Sequence, residues 1–182
     1  MPRLFYAIDM PEDIKREITE VNESLRELGR HVRPVSHGSF HLTMLFLGDQ
    51  PGRILPELCD IGRAAVQNAR PCALETGQAG FFPRVSFLTL TGEIDTLRLI
   101  SIHLATECEK FLEEPENRPF KAHVTLARHK ERVTPSEKEF IRKMFERFEG
   151  KRFVFDELIL YESELSRQGA KYTPIEKFKF SG

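Results

Sequence analysis

The sequence contains the same four-residue pattern twice, as His41-Leu42-Thr43-Met44 and as His123-Val124-Thr125-Leu126. In each copy a histidine and a threonine alternate with apolar residues. Each copy lies in a run that is predicted to form a β-strand, and successive side chains of a strand point to opposite faces. Each strand therefore presents its histidine and threonine on one face and its apolar residues to a core.

These two motifs belong to a longer internal repeat with an offset of 82 residues. The predicted strand Leu4–Ile8 corresponds to Ser86–Leu90, and each half has the order strand, helix, histidine strand, helix, strand. The sequence thus predicts an α+β fold with two pseudo-symmetric lobes, each a mainly antiparallel sheet with helices on the outside. Because no compositional linker separates the halves, we expect residues 1–182 to form one bilobal domain with the active site in the cleft between the lobes.

The other predicted elements rest on periodicity and turn signals. Apolar residues that step by three and four residues after Pro11 predict a helix. The sequence Thr134-Pro135-Ser136-Glu137 is a capping box, which predicts the start of the last helix. Aromatic and β-branched residues near the end of the chain predict two more strands, Arg152–Tyr161 and Tyr172–Phe180.

Composition excludes several classes of protein. The 182 residues include 27 basic and 28 acidic side chains, so a net charge of −1 gives no general attraction for a long polyanion. This charge balance disfavours a protein that wraps a nucleic-acid duplex, whereas an enzyme that binds one phosphate with a few local donors remains compatible with it. Apolar runs are too short to span a membrane, and no secretory signal is visible, so we expect a cytoplasmic protein without membrane contact.

Paired histidines indicate acid–base chemistry, because a neutral and a protonated imidazole can coexist near neutral pH. Hydrolysis of a phosphodiester needs one group to activate water and another to protonate the leaving oxygen. The hydroxyls of Thr43 and Thr125 could bind the non-bridging phosphoryl oxygens, and Arg128 could hold a substrate phosphate with paired donors. No metal or cofactor is required, and no metal-binding motif such as HExxH occurs in the sequence.

An alternative is purely structural, with each threonine hydrogen-bonded to the neighbouring imidazole to satisfy a polar strand face. The other histidines lack the motif, and we do not assign them to the site: His31, His37, His103 and His129.

The segments Phe40–Gly48 and Pro119–Arg128 resemble the 2H phosphoesterase superfamily, and most closely its RNA 2′,3′-cyclic phosphodiesterase family, long called 2′-5′ RNA ligases. The likeness extends over essentially the whole chain. It implies metal-independent hydrolysis of a terminal 2′,3′-cyclic phosphate to a 2′-phosphate. By this resemblance His41 would protonate the leaving 3′-oxygen and His123 would activate water.

The partner implied is an RNA or oligonucleotide end with a 2′,3′-cyclic phosphate, bound by a monomeric enzyme. Reversible 2′-5′ ligation is the alternative within the enzyme class, since it differs only in whether water or a 5′-hydroxyl takes part. A nucleotide-binding module without catalysis is the alternative outside it.

Overall fold

The computed structural model of the chain describes residues 1–116, 119–166 and 169–182. Its strands are β1 (Arg3–Asp9), β2 (Val32–Pro34), β3 (His41–Asp49), β4 (Cys72–Phe82), β5 (Val85–Gly92), β6 (His123–His129), β7 (Arg152–Phe155), β8 (Glu157–Ser166) and β9 (Gly169–Lys179). Its α-helices are α1 (Glu12–Asn22), α2 (Leu55–Val66), α3 (Ile94–Glu107) and α4 (Pro135–Phe145). The predicted capping box at Thr134 is confirmed at the start of α4.

Strands form two antiparallel sheets, which confirms the predicted α+β class. One sheet has four strands in the order β3-β1-β8-β9, and the other has five in the order β2-β6-β5-β4-β7. The prediction of one strand over Arg152–Tyr161 is wrong, because β7 lies in the five-stranded sheet and β8 in the four-stranded sheet. Both pieces have strand-forming residues, so local propensity does not reveal that the chain changes sheets at Asp156.

The two halves of the repeat exchange one strand each. β4 comes from the first half and pairs with β5 of the second, whereas β8 comes from the second half and pairs with β1 of the first. The helices also contact strands of the other half. α1 of the first half contacts β6 of the second, and α3 of the second half contacts β3 of the first. Each lobe is therefore built from both halves of the chain, and the lobes are interlocked by main-chain hydrogen bonds.

Each histidine strand contains a β-bulge directly after its threonine. In β3 the pairing with β1 passes from Thr43 to Leu45 and skips Met44, and in β6 the pairing with β5 passes from Thr125 to Ala127 and skips Leu126. The two extra residues are related by the repeat offset. A bulge shifts the alternation of side chains by one residue, so the third residue after the threonine lies on the same face as the threonine.

The bulged residues are anchored to the helices on the outer faces of the sheets. Ser101 of α3 donates a hydrogen bond to the Met44 carbonyl at 3.0 Å. Asn22 of α1 donates to the Leu126 carbonyl at 3.0 Å and to the Val35 carbonyl at 3.2 Å. These bonds satisfy main-chain groups that lie beside an interruption of the sheet ladder.

Apolar side chains between the sheets and their helices form one continuous core. A smaller cluster of Phe5, Ala7, Ile159 and Tyr161 lies on the other face of the four-stranded sheet. No helix in the described part of the chain is both long and apolar enough to cross a lipid bilayer.

Replacing Asn22 with alanine should destabilise the fold. Asn22 is 1% exposed, and its amide serves two carbonyls, so its removal leaves buried acceptors without their donor. We expect a loss of about 1–3 kcal/mol in the free energy of unfolding, measured by urea titration. Asn68→Ala is the matched control, since Asn68 is exposed and should change stability by less than about 0.5 kcal/mol. Equal effects of the two changes would contradict the anchoring of the bulge.

Candidate active site

The two histidine strands face a common cleft of about 530 Å³ between the sheets. Its wall contains all five residues that the sequence singled out: His41, Thr43, His123, Thr125 and Arg128. The wall also includes Arg33, Ser36, Ser39 and Tyr172. Strand exchange brings residues that are 82 positions apart into this one cleft.

His123 is held by a main-chain carbonyl and by two phenylalanine rings. Its Nδ1 lies 2.7 Å from the carbonyl oxygen of Lys121, and because a carbonyl only accepts, Nδ1 donates this hydrogen bond. Phe82 and Phe87 contact the imidazole, with ring centroids 5.3 and 5.1 Å away. In the neutral ring, Nε2 is therefore the nitrogen that can accept a proton.

His41 lies in a larger aromatic cluster. The rings of Phe5, Tyr172 and Tyr161 have their centroids 5.1, 5.0 and 6.3 Å from the imidazole. Its ring also forms a hydrogen bond with the main chain of Gly38. Each histidine is thus oriented by aromatic contacts and by one main-chain group.

The repeat extends to the phenylalanine beside each histidine. Phe5 and Phe87 are separated by the same offset as His41 and His123, and each ring centroid lies 5.1 Å from its imidazole. The offset of 82 residues was visible in the sequence, so it could have identified this pair.

The two histidines differ in their charged neighbours. Asp9 is the cross-strand partner of His41, whereas Thr89 is the partner of His123. Asp9 accepts a hydrogen bond from Lys15 Nζ at 2.9 Å and another from the hydroxyl of Tyr161. The Lys15 side chain is 8% exposed, and a buried ammonium group needs such an anionic partner.

Burial lowers the pKa of both histidines. For His41 burial is the largest cause and brings the pKa to about 4, with Lys15 and Arg128 also lowering it and Asp9 opposing them. Burial likewise lowers the pKa of His123; the hydrogen bond to the Lys121 carbonyl opposes this effect, and the positive charge of Lys121 adds to it. Among the charged side chains that act on His41, Asp9 favours the protonated ring, whereas Lys15 and Arg128 favour the neutral ring, as Lys121 does for His123.

The threonine hydroxyls are available to a ligand. Within residues 1–116, 119–166 and 169–182, neither Thr43 nor Thr125 uses its hydroxyl in a hydrogen bond, so the structural alternative of a threonine bonded to an imidazole is not observed. Arg128 lies on the same face of β6 as Thr125 because the bulge at Leu126 shifts the alternation of side chains by one residue. Strict alternation would place Arg128 on the core side with Val124.

The sequence profile of the 2′-5′ RNA ligase superfamily matches residues 10–167. The chain belongs to this superfamily. The family that the two histidine motifs predicted is thereby confirmed.

Two relatives within the superfamily match nearly the full chain. The RNA 2′,3′-cyclic phosphodiesterase of Thermus thermophilus is 32% identical over 194 residues, which cover 99% of this chain and 91% of that protein. The RNA 2′,3′-cyclic phosphodiesterase of Escherichia coli is 27% identical over 179 residues, which cover 97% of this chain and 95% of that protein.

Solved structures of the superfamily share the bilobal fold. The Thermus thermophilus protein TT0787 superposes with a TM-score of 0.79 at 31% identity, covering 99% of this chain and 98% of that one. LigT of Escherichia coli complexed with 3′-AMP superposes with a TM-score of 0.76 at 27% identity, and each chain is covered completely.

Sequence analysis missed His37, which the structure places next to the His41 strand. Its Nε2 lies 2.7 Å from the Glu12 carboxylate, and its Nδ1 lies 2.9 Å from the Thr19 hydroxyl. Both partners belong to α1, so this imidazole ties the turn that contains Gly38 to the helix. No periodicity or motif connects these three residues, and only the tertiary fold brings them together.

Two other histidines lie away from the cleft. His31 Nε2 is 2.8 Å from Glu137 at the start of α4, and His129 is 4% exposed. In the part of the chain that the structure describes, no three histidine, cysteine or acidic side chains are grouped closely enough to hold a metal ion.

The ionisation of His41 gives a first test of the site. At pH 5 an ordinary histidine is almost fully protonated, whereas His41 should remain mostly neutral because its pKa is about 4. Histidine NMR titration of the ligand-free protein measures this. Asp9→Asn should lower the pKa of His41 further, since Asp9 raises it, and should leave His123 unchanged. Titration of His41 near pH 6.5 would contradict the buried environment.

Substitution of His37 tests whether its contacts with Glu12 and Thr19 hold the turn that contains Gly38. We expect His37→Leu to free this turn from α1, so that the His41 ring no longer keeps one tautomer. Nitrogen-15 NMR of the imidazole distinguishes a single tautomer from a mixture. His31→Leu is the control, because His31 contacts Glu137 and not this turn. An unchanged tautomer of His41 in His37→Leu would show that the contacts of His37 with α1 do not position the His41 ring.

Proposed function

We propose that this protein hydrolyses 2′,3′-cyclic phosphate ends of RNA or oligonucleotides to 2′-phosphate ends. The observation that carries the proposal is one cleft with a histidine and a free threonine hydroxyl from each of two facing strands. Relatives at 27–32% identity over nearly the whole chain are named RNA 2′,3′-cyclic phosphodiesterases, which supports the same reaction here.

In this mechanism His123 is the proton acceptor. Its Nδ1–H is engaged by the Lys121 carbonyl, so Nε2 is the basic nitrogen, and both burial and the Lys121 charge favour the neutral ring. Nε2 takes a proton from water as the water oxygen bonds to phosphorus. The arrangement is general-base catalysis by a pre-oriented imidazole.

His41 is the proton donor on the other side of the phosphorus. As the bond between phosphorus and the 3′-oxygen breaks, the protonated imidazole gives its proton to that oxygen, which leaves a 3′-hydroxyl and a 2′-phosphate. The lowered pKa keeps His41 neutral in the empty cleft. A bound phosphate supplies a negative charge and neutralises Arg128, so substrate binding favours protonation of the ring together with Asp9.

Thr43, Thr125 and Arg128 bind the substrate in this proposal. The two hydroxyls donate to the non-bridging phosphoryl oxygens, whose negative charge increases in the transition state. The guanidinium of Arg128 holds a substrate phosphate with paired donors. All these donors come from one chain, so we propose that a monomer suffices without metal or cofactor. We propose the cytoplasm as its location, as the sequence analysis expects.

Ligation is the closest alternative, because the same two histidines can protonate and deprotonate when a 5′-hydroxyl replaces water. The name of the superfamily favours testing for it. A binding module without catalysis agrees less well with the site, since binding alone does not need two oriented imidazoles.

The test uses the full-length protein with EDTA and a nucleoside 2′,3′-cyclic phosphate. We expect a nucleoside 2′-phosphate as product, identified against both isomers by chromatography. His41→Asn and His123→Asn should each lower kcat by about 10²- to 10⁴-fold while the proteins stay folded, because each removes a proton-transfer group. His31→Asn, outside the cleft, should retain the rate.

Each part of the mechanism can fail separately in this test. A 3′-phosphate product would reverse the assigned positions of donor and acceptor. Loss of activity with EDTA would contradict metal independence. An active His41→Asn or His123→Asn variant would contradict the two-histidine mechanism, and a 2′-5′ linked product from RNA ends with a 5′-hydroxyl would establish ligation.

A further inference from the structure

A second groove lies beside His123, at the turn between β4 and β5. It has a volume of about 280 Å³, close to the lower limit for sites that bind a small ligand. Phe82 lines this groove and also contacts the His123 imidazole, with the two ring centroids 5.3 Å apart. We call it the hairpin groove, and its lining residues are Phe81, Phe82, Pro83, Arg132, Val133 and Lys138. One aromatic ring thus connects the hairpin groove to the proposed proton acceptor.

The hairpin groove has an apolar base and a cationic edge. Phe81 and Phe82 are half-buried and Val133 is buried, whereas Arg132 is exposed. Lys138 Nζ lies 5.7 Å from the centroid of the Phe81 ring, so its charge is held at the aromatic surface. A nucleotide has the complementary chemistry, because its base packs on apolar side chains and its phosphates bind cations.

The positive charges around the hairpin groove are not balanced by neighbouring carboxylates. In the parts of the chain that the structure describes, Arg132 and Lys138 form no ion pair. Within the same residues, Lys121 forms none either, and its Nζ lies 5.1 Å from the Phe82 centroid. Because the whole chain carries a net charge of −1, this excess of positive charge is local, and it marks a surface that attracts an anionic chain.

The roles of the two histidines decide which part of a substrate reaches the hairpin groove. In a displacement at phosphorus the entering and leaving oxygens lie roughly in line, on opposite sides of the phosphorus. His41 serves the leaving 3′-oxygen, so the ribose of the cyclic phosphate lies toward His41. His123 takes its proton from the entering group, so that group and anything attached to it lie toward His123 and Phe82.

We propose that the hairpin groove binds a second RNA strand, whose 5′-hydroxyl enters in place of water. The proposal rests on the proposed function, because it uses the same two histidines in the same roles. The 5′-oxygen bonds to phosphorus as the bond to the 3′-oxygen breaks. His123 takes the proton of the 5′-hydroxyl, and His41 gives its proton to the 3′-oxygen. The product is a 2′-5′ phosphodiester with a free 3′-hydroxyl, and occupancy of the groove sets the ratio of this transfer to hydrolysis.

The test keeps one cyclic substrate and varies the second strand. The substrate is a nucleoside 2′,3′-cyclic phosphate whose 5′-oxygen is methylated, so that it cannot itself act as the acceptor. The acceptors, at equal concentrations, are a nucleoside, a 5′-hydroxyl dinucleotide and the same dinucleotide with a 5′-phosphate. We expect the ratio of 2′-5′ linked product to hydrolysis product to be about three- to tenfold higher with the 5′-hydroxyl dinucleotide than with the nucleoside, because its phosphate gains a charged contact. The 5′-phosphorylated dinucleotide lacks the attacking hydroxyl and should give hydrolysis alone.

Arg132→Gln should lower this ratio for the dinucleotide about three- to tenfold. Hydrolysis without an acceptor should keep its rate, because Arg132 lies outside the cleft that contains the histidines. Arg98→Gln is the matched control and should keep the ratio, since Arg98 is an exposed arginine that is already paired with Asp95. Added salt should lower the ratio in the wild type more than in Arg132→Gln. An unchanged ratio in Arg132→Gln would overturn the proposal.

The nucleotides that precede the cyclic end are the other part of an RNA that could occupy the hairpin groove. A dinucleotide that ends in the cyclic phosphate tests this occupant in the absence of an acceptor. We expect Arg132→Gln to hydrolyse it with the same kcat/KM as the wild type. A loss of kcat/KM that is specific to this longer substrate would assign the groove to the preceding nucleotide and overturn the acceptor site.

Failure of the acceptor site and failure of the proposed function give different results. If the cyclic phosphate is hydrolysed but no acceptor yields a 2′-5′ linked product, the acceptor site is wrong and the function stands. If the cyclic phosphate is neither hydrolysed nor transferred, the function is wrong, and fluorescence anisotropy of a 5′-hydroxyl oligonucleotide labelled at its 3′ end still tests the groove. Weaker binding by Arg132→Gln would then support the groove as a site for this strand, and equal affinity of the two proteins would overturn it.

Discussion

The extra residue that directly follows the threonine of each histidine strand is the constraint on which the site depends. Met44 and Leu126 interrupt the ladder directly after their threonines, and helices anchor both bulges through hydrogen bonds to the bulged carbonyls. The bulge lets the strand keep its apolar residues in the core while it changes the face of the residue that follows. Arg128 reaches the cleft for this reason, and the proposed function requires it there to hold a substrate phosphate.

The exchange of β4 and β8 means that both halves of the chain build the cleft. β4 and β8 each cross to the sheet of the other half, so β3 and β6 are held opposite each other by main-chain pairing instead of by a flexible linker. Acid–base catalysis needs its two groups at a fixed separation across the phosphorus. An interlocked pair of lobes supplies that fixed separation.

The repeat is nearly symmetric in geometry and asymmetric in charge. Phe5 and Phe87 contact their histidines at the same distance, yet Asp9 accompanies only His41 and Lys121 only His123. Symmetry brings two imidazoles to one phosphate. Asp9 is the difference that favours His41 as the proton donor, against the opposing charges of Lys15 and Arg128 and the burial that keeps the ring neutral in the empty cleft.

The α+β class, the repeat and the strand faces of the two histidine motifs can be predicted from the sequence, because periodicity and spacing are read directly from the order of the residues. The sequence could not determine which sheet receives β8, where the ladder bulges, or that His37 meets Glu12 and Thr19. Those outcomes depend on contacts between residues far apart in the chain. They become visible only in the folded chain, since the pairing and burial of each segment depend on the segments that pack against it.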